Sequence, residues 1–458
     1  MKGFSPREHA PSILVASLSA LFGVALLQVT SVLAVIISDG TAGSATVAIM
    51  LSLVAMVFIA ISTYVGSVVT ANTFSTIIAG RRRTIALLRL VGSSARSLRS
   101  SVAREGFVVG VIGAALGLVL GTALAAALVA VGTLIGAIPT LDYGFVNPVV
   151  LVPVAAVVLT TWLASWIGAR RVLQVAPIEA TGAAVESRQE EVGARRGRNV
   201  TSIVLIAIGA GLLASAVLLG LITPAAVLVG VLGGIVSFTG VVLAAPIMMP
   251  AALRLVGRLL GRSSEARMAA ENAVRYPERS ARTTIGLVIG VTLVTMFIVA
   301  VATFQSMLEP VSEAADLDEL MAAIVGVFSV LIGFSALIAA VGMVNNLSLS
   351  VLQRTRELGL LRALGFTVRQ LRAMIRIEAA QLTATALAVG LLLGTVYGWV
   401  GAQSLLGSMP GAGLVLPVVP WWLLAVIAAV GAVLTVAASV APTRRATSIA
   451  PVVALAVE

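Results

Sequence analysis

The sequence has no cysteine, one histidine (His9) and one lysine (Lys2). Without cysteine it holds neither a disulfide framework nor a thiolate metal centre. One histidine lacks the partners an imidazole metal site needs, and His9 reads as a plain interfacial residue. A Walker-type phosphate loop requires G-x-x-x-x-G-K-[ST], which a lysine at position 2 cannot complete. ATP therefore acts here only through another polypeptide, and no catalytic, cofactor-binding or metal residue is expected in this chain. Charge is scarce too: 11% of residues are charged, against about 25% in a soluble domain. Apolar sequence takes its place, with 59% hydrophobic residues and a mean hydropathy of +1.10. This is the composition of an all-α polytopic membrane protein.

A membrane-spanning helix needs about 20 mostly apolar residues. Ten segments qualify: 13–37, 47–71, 106–132, 149–168, 201–221, 225–249, 284–304, 320–346, 379–402 and 420–441. The first is too long for a signal peptide and lacks a small-x-small cleavage site, so it reads as a retained span. With ten spans and the N-terminus inside, all 30 basic residues fall on one side. The positive-inside rule makes that side cytoplasmic, with both termini there. The net charge of +11 thus follows topology, and no nucleic-acid partner is expected. The opposite loops carry only acids: Asp39, Asp142, Glu309, Glu313, Asp316, Asp318 and Glu319. The last five form a candidate docking cluster for an outer partner or a cationic substrate, or simply a solvated loop. The loop from Gln305 to Glu319 is short, with a short amphipathic helix starting near Val311.

No acid lies mid-span, whereas ion-coupled carriers use intramembrane acids as relays. That counts against a secondary carrier. Glycines recur three and four apart at Gly110, Gly113, Gly117 and Gly121, and again at Gly390 and Gly394. Such stripes read as packing seams where helices approach closely in lipid.

The chain is internally duplicated. Without a gap, Arg81, Arg83, Leu87, Leu88, Arg89 and Gly92 recur as Arg354, Arg356, Leu360, Leu361, Arg362 and Gly365, a shift of 273. Arg96, Leu98, Arg99 and Glu105 recur as Arg369, Leu371, Arg372 and Glu378. Around the ends of spans 4 and 10 the shift becomes 274, and Pro6 and Pro277 are weaker counterparts ahead of spans 1 and 7. The expected organisation is repeat A over 1–178, a charged linker over 179–200, a two-span insert over 201–261 and repeat B over 262–458. Residues 262–282 open repeat B as a basic helix lying on the inner leaflet. Four spans per repeat insert in the same orientation, as parallel repeats do.

Each repeat carries one basic amphipathic stretch between its second and third spans. In 352–378, Leu358, Leu361 and Leu364 share a face. Gly365 suits the left-handed C′ position of a helix, and Thr367 with Gln370 suits a capping box for the next helix. Repeat A does the same with Gly92 and then Ser94. A short helix, a bend and a rigid connection into a span form a lever.

The run Arg354–Gly365, R-T-R-E-L-G-L-L-R-A-L-G, resembles the signature of the FtsX-like permeases of ABC transporters, which include the macrolide-exporter, lipoprotein-releasing and bacitracin-resistance types. The resemblance covers both repeats. It implies a bacterial inner-membrane permease, in which the ten transmembrane helices read above form two four-helix FtsX-like repeats plus the two-helix insert. It also implies coupling helices at about 79–92 and 352–365, each docking on a cytoplasmic ATPase. Arg81, Arg83, Leu87, Leu88, Arg89 and Gly92, with Arg354, Arg356, Glu357, Leu358, Leu361, Arg362 and Gly365, are the expected coupling residues. Two copies of the ATPase, with its own ATP and Mg, are the implied partners. The sequence departs from many relatives in two ways. Thr84 stands where repeat B has Glu357, and neither repeat has a large extracytoplasmic domain between its first two spans.

The expected function is that of a permease subunit coupling ATP hydrolysis by separate subunits to export or membrane extraction of a hydrophobic or amphipathic cargo: a lipid, an antimicrobial peptide or a drug. The alternative is a mechanotransmission or signalling module without cargo, and behind it a secondary carrier.

Overall fold

The computed structural model describes chiefly residues 6–39, parts of 53–74, 82–134, 139–141, 143–144, 148–170, 196–259, 277–315, 365–408 and 413–448. Most of these residues are helical, and no strand occurs among them. In chain order the helices are α1 (Pro6–Asp39), α2 (Arg82–Leu90), α3 (Ala95–Leu134), α4 (Leu151–Gly168, entered by a 3₁₀ turn at Pro148–Val150), α5 (Arg196–Gly220), α6 (Ala226–Leu259), α7 (Pro277–Ala315), α8 (Val368–Leu406) and α9 (Trp421–Ser448).

Among the described residues, seven helices are long and apolar enough to cross a membrane. Ile59–Asn72 and Trp421–Val433 are shorter apolar helices at the places of spans 2 and 10. Span 8 and residues 262–270 and 272–276 of the expected inner-leaflet helix lie outside the described residues, and residues 277–282 belong to α7.

The chain divides into two compact units, Met1–Ala183 and Ala184–Glu458. In the first, α3 lies along both α1 and α4. The glycines of α3 make this possible and split into two seams. Gly106 and Gly110 face α4 at Ser165, Thr161 and Val158, whereas Gly113, Gly117 and Gly121 face α1. A Cβ on Gly117 would lie 2.5 Å from the Ala20 Cβ and 2.6 Å from the Ser17 carbonyl oxygen. Without a hydrophobic drive between helices in lipid, such close backbone approach supplies the packing energy.

The second unit repeats the pattern. There α8 packs on α7 through Gly390 against Val291 and Gly394 against Thr295, and on its other side against α9. Gly117 and Gly121 meet Ala20 and Val24 in the same way, so α1 and α7 correspond at a shift of 271. At that shift Pro6 matches Pro277, and each is the first residue of its helix. Proline suits that position, because its missing N–H would have no intrahelical partner there.

The hairpin of α5 and α6 belongs to the second unit. Leu253 and Met249 of α6 are buried with Ile285 and Val288 of α7 and Ala386 of α8. Gln381 donates its Nε2 proton to the Leu253 carbonyl at 2.7 Å, and the Ser237 and Tyr397 hydroxyls lie 3.0 Å apart. Nearer the turn of the hairpin, Gly220 sits against Ser404.

One boundary differs from the sequence reading. The expected outer loop from Gln305 is helix as far as Ala315, so α7 is one continuous 39-residue rod rather than a span, a loop and a new helix. Pro310 lies within that run.

Candidate functional site: the bend between spans 2 and 3

Residues 82–105 build the site from backbone geometry upward. Nine residues form α2, and Gly92 ends it with φ of 102°. The Ser93 N–H donates to the Leu88 carbonyl at 2.9 Å and the Gly92 N–H to the Arg89 carbonyl at 3.1 Å. That pair of bonds is a Schellman motif, which satisfies the carbonyls left over at a helix end. Nothing lies within 4 Å of where a Gly92 Cβ would be, so conformation and not crowding demands glycine. Ser94 then starts α3, its Oγ accepting from the Ser97 N–H at 3.1 Å.

Repeat B has the same hinge on its described side. Gly365 has φ of 94°, again in open space. Thr367 and Gln370 make the full capping box: the Gln370 N–H donates to the Thr367 Oγ1 at 3.3 Å, and the Thr367 N–H donates to the Gln370 Oε1 at 3.1 Å. From there α8 runs unbroken into the span, as α3 does from Ala95.

One face of α2 is fastened down. Ile85 and Ala86 are buried with Ala169 at the end of α4, and Leu98 and Val102 of α3 pack against them. Arg99 reinforces this junction. Its guanidinium lies 3.8 Å from the Trp166 ring centroid and donates from Nε and NH2 to the Trp166 carbonyl at 3.3 and 3.2 Å. The guanidinium of Arg170 stands 5.7 Å from the same ring. The other face of α2 is open: Leu87, Leu88 and Leu90 are exposed at 48%, 37% and 58%, and Val91 follows at 88%. Burial of one apolar face and exposure of another makes α2 a strut that is seated on spans 3 and 4 and still presents leucines outward.

The start of α3 is tied to α1 as well. The His9 Nε2 lies 3.3 Å from the Glu105 Oε2, and the His9 ring stacks on Phe74 with centroids 5.9 Å apart. His9 is therefore no plain interfacial residue. It is buried, because α1 brings it against the first turns of α3. The positions corresponding to this pair in the second unit, Ser280 and Glu378, are buried too. The recurrence of Glu105 as Glu378 was the available signal for this contact, and Trp166 had none in the duplication.

Of the expected coupling residues, Leu87, Leu88, Arg89 and Gly92 lie together on and just after α2, with Gly365 at the second hinge. Arg83 is in α2, with its side chain outside the described set. Arg81, Arg354, Arg356, Glu357, Leu358, Leu361 and Arg362 lie outside the described residues. Glu309 and Glu313 fall on the last turns of α7, and Asp316, Asp318 and Glu319 lie outside the described residues. No cluster of three or more His, Cys, Asp or Glu suited to a metal occurs among the described residues.

A family model for the FtsX-like permease C-terminal region matches the chain twice, over residues 56–177 and 329–451, together more than half of its length. Each match encloses one bend and the spans on either side of it. No curated protein matches the chain.

Proposed function

The chain belongs to the FtsX-like permease family, a family of ABC-transporter membrane components that generally pair with cytoplasmic ATPases, and we propose that it engages two ATPase copies through α2 and the equivalent helix at about 352–365. The observation that carries this reading is the exposed row Leu87, Leu88, Leu90 and Val91 on a helix otherwise seated on spans 3 and 4. A push on that face is delivered to α3 through the Gly92–Ser94 bend and the Arg99–Trp166 clamp. Arg81, Arg83, Arg89, Arg354, Arg356, Glu357, Leu358, Leu361 and Arg362 complete the two docking surfaces. ATP and Mg belong to the ATPase.

A ten-span topology is supported by seven long helices, two shorter apolar ones at the places of spans 2 and 10, and the one-sided placement of arginine that ten spans would give. The termini and both bends then lie in the cytoplasm of a bacterial cell. Residues 1–178 and 262–458 act as two levers, with the two-span insert over 201–261 serving the second. The cargo is a hydrophobic or amphipathic molecule taken laterally from the membrane and exported or extracted. In support, the described spans carry hydroxyls and amides but hardly any charge: Gln28 contacts Thr122, and Gln381 contacts a backbone carbonyl.

The test is co-purification. Glu357→Lys combined with Arg362→Glu reverses two charges on the second docking surface and lowers recovery of the ATPase at least tenfold, while the permease elutes unchanged. Undiminished recovery from that double variant contradicts the docking assignment.

A further inference from the structure

The two repeats differ at the end of the third span remote from the bend. In the second unit, two side chains of α8 fill the space between the helix and the connection that follows it. Trp399 donates its Nε1 proton to the Val415 carbonyl at 2.6 Å. Gln403 donates from Nε2 to the Gly413 carbonyl at 2.6 Å and accepts from the Val415 N–H at 3.1 Å. At the shift of 273 shared by the glycine seams, Trp399 corresponds to Ala126 and Gln403 to Ala130. Where the second unit has an indole and an amide, the first has two methyl groups.

A cleft of about 470 Å³ occupies that place in the first unit. Ala126, Val129, Ala130 and Thr133 of α3 line one wall, and Leu141 and Tyr143 of the connection line the other. Its size falls in the range of small-ligand sites. Its lining has no charged side chain. Two of its hydroxyls are already engaged within the chain: Thr133 donates to the Ala130 carbonyl at 2.9 Å and Tyr143 to the Pro139 carbonyl at 2.6 Å. The walls therefore present mostly methyl and ring surface and offer little to a sugar, a phosphate or a free amino acid.

Its depth also limits the occupant. From Arg104, the last arginine before the span, to Ala126 is about 33 Å at 1.5 Å per residue, roughly the thickness of a hydrocarbon core. The cleft thus sits at the far interface, beside the exposed Val131 and Leu134 of the same helix end. A molecule there has its apolar part within reach of the alanine wall and its polar part among headgroups.

We propose that this cleft binds a single alkyl chain of an amphipathic molecule in the outer leaflet, and that the second repeat has lost the equivalent site to Trp399 and Gln403. The proposal rests on the topology read above for its outer-leaflet placement and shares its ligand chemistry with the cargo reading. The two fail separately, because labelling needs no ATPase and co-purification needs no ligand.

The test uses the full chain in phosphatidylcholine vesicles with a diazirine-bearing dodecylphosphocholine, photolysed and mapped by peptide mass spectrometry. Adducts are expected in residues 126–144, lowered at least fivefold by excess unlabelled dodecylphosphocholine and to the same degree by Ala126→Trp with Ala130→Gln. Leu128→Trp, on the exposed, opposite face of the same helix, keeps the wild-type labelling. Trp399→Ala with Gln403→Ala creates a second competable site between residues 399 and 415. Labelling of the wild-type chain that excess probe does not compete is ordinary lipid contact and overturns the proposal. So does competable labelling that survives filling of the alanine wall. The competition arm needs no variant and stands even if a filled variant fails to fold.

Discussion

The two repeats keep the same backbone devices and diverge in the side chains at their ends. Both have a glycine near φ of 100° at the bend, a Ser or Thr cap after it, one continuous helix into the span, and glycines of that helix seated on the first helix of the repeat. They part company where a neighbour differs. Repeat A clamps its bend with Arg99 on Trp166, whereas the position matching Trp166 in repeat B is Val440. The far end of α3 is open and that of α8 is plugged. The insert α5–α6 packs on α8 within the second unit. The lesson is that the glycine bend and the helix after it are under backbone constraint in both copies, while the two ends of that helix are free to specialise.

The comparison predicts three graded outcomes. The largest concerns the seams. Gly117→Val would bring a Cβ to 2.5 Å from Ala20 and 2.6 Å from a carbonyl oxygen, and Gly394→Val to 2.5 Å from Thr295 and 2.7 Å from the Thr292 carbonyl. Overpacking of this kind costs about 1–3 kcal/mol or more. Both variants are expected to lose most of their monodisperse yield in detergent chromatography. A normal profile for either one breaks the equivalence of the two seams.

A smaller effect is expected at the bends. Gly92→Ala and Gly365→Ala meet no neighbour, so each bears only the cost of a left-handed conformation, about 1–2 kcal/mol. Each is expected to lower the thermal midpoint by a few degrees and to slow ATP turnover in the reconstituted complex. An asparagine at either position, which tolerates that conformation better, restores part of both. If Ala and Asn behave alike, conformation is not what the glycines supply.

The smallest effect separates the repeats. Arg99→Lys loses the planar stacking and the two-proton donation to Trp166, a change of about 1 kcal/mol. Arg372→Lys loses no such ring, because repeat B has none at that place, and is expected to be close to neutral. Equal destabilisation in differential scanning fluorimetry would mean that the clamp is not particular to repeat A.

Much of this was legible in the sequence, because the relevant constraints are local. A duplicated Gly followed two residues later by Ser or Thr fixes a C′ position and a cap, and the whole bend forms as expected at Gly92, while at Gly365 the positive φ and the cap form and the segment before it lies outside the described residues. The family likewise follows from the run Arg354–Gly365 and its weaker copy. Less legible was anything set by a neighbour distant in the chain. Periodicity identified a glycine stripe in α3 but not its division between α4 at Gly106 and Gly110 and α1 at Gly113 to Gly121. A lone His9 looked interfacial because Glu105, its partner, lies 96 positions away. The helical run of α7 through Pro310 ran against the turn-forming habit of Gln305–Ala315. The cleft had a signal, the exchange of Ala126 and Ala130 for Trp399 and Gln403, but it is readable only once the glycine seams fix the register.

The most direct test of the two-lever account is the stoichiometry of the ATPase bound to the intact chain in mild detergent, measured by native mass spectrometry. The account predicts two Walker-motif ATPase copies per chain, falling to one when Leu87 and Leu88 on α2 are both changed to glutamate. No bound ATPase under any nucleotide condition, or two copies retained by that variant, would contradict it.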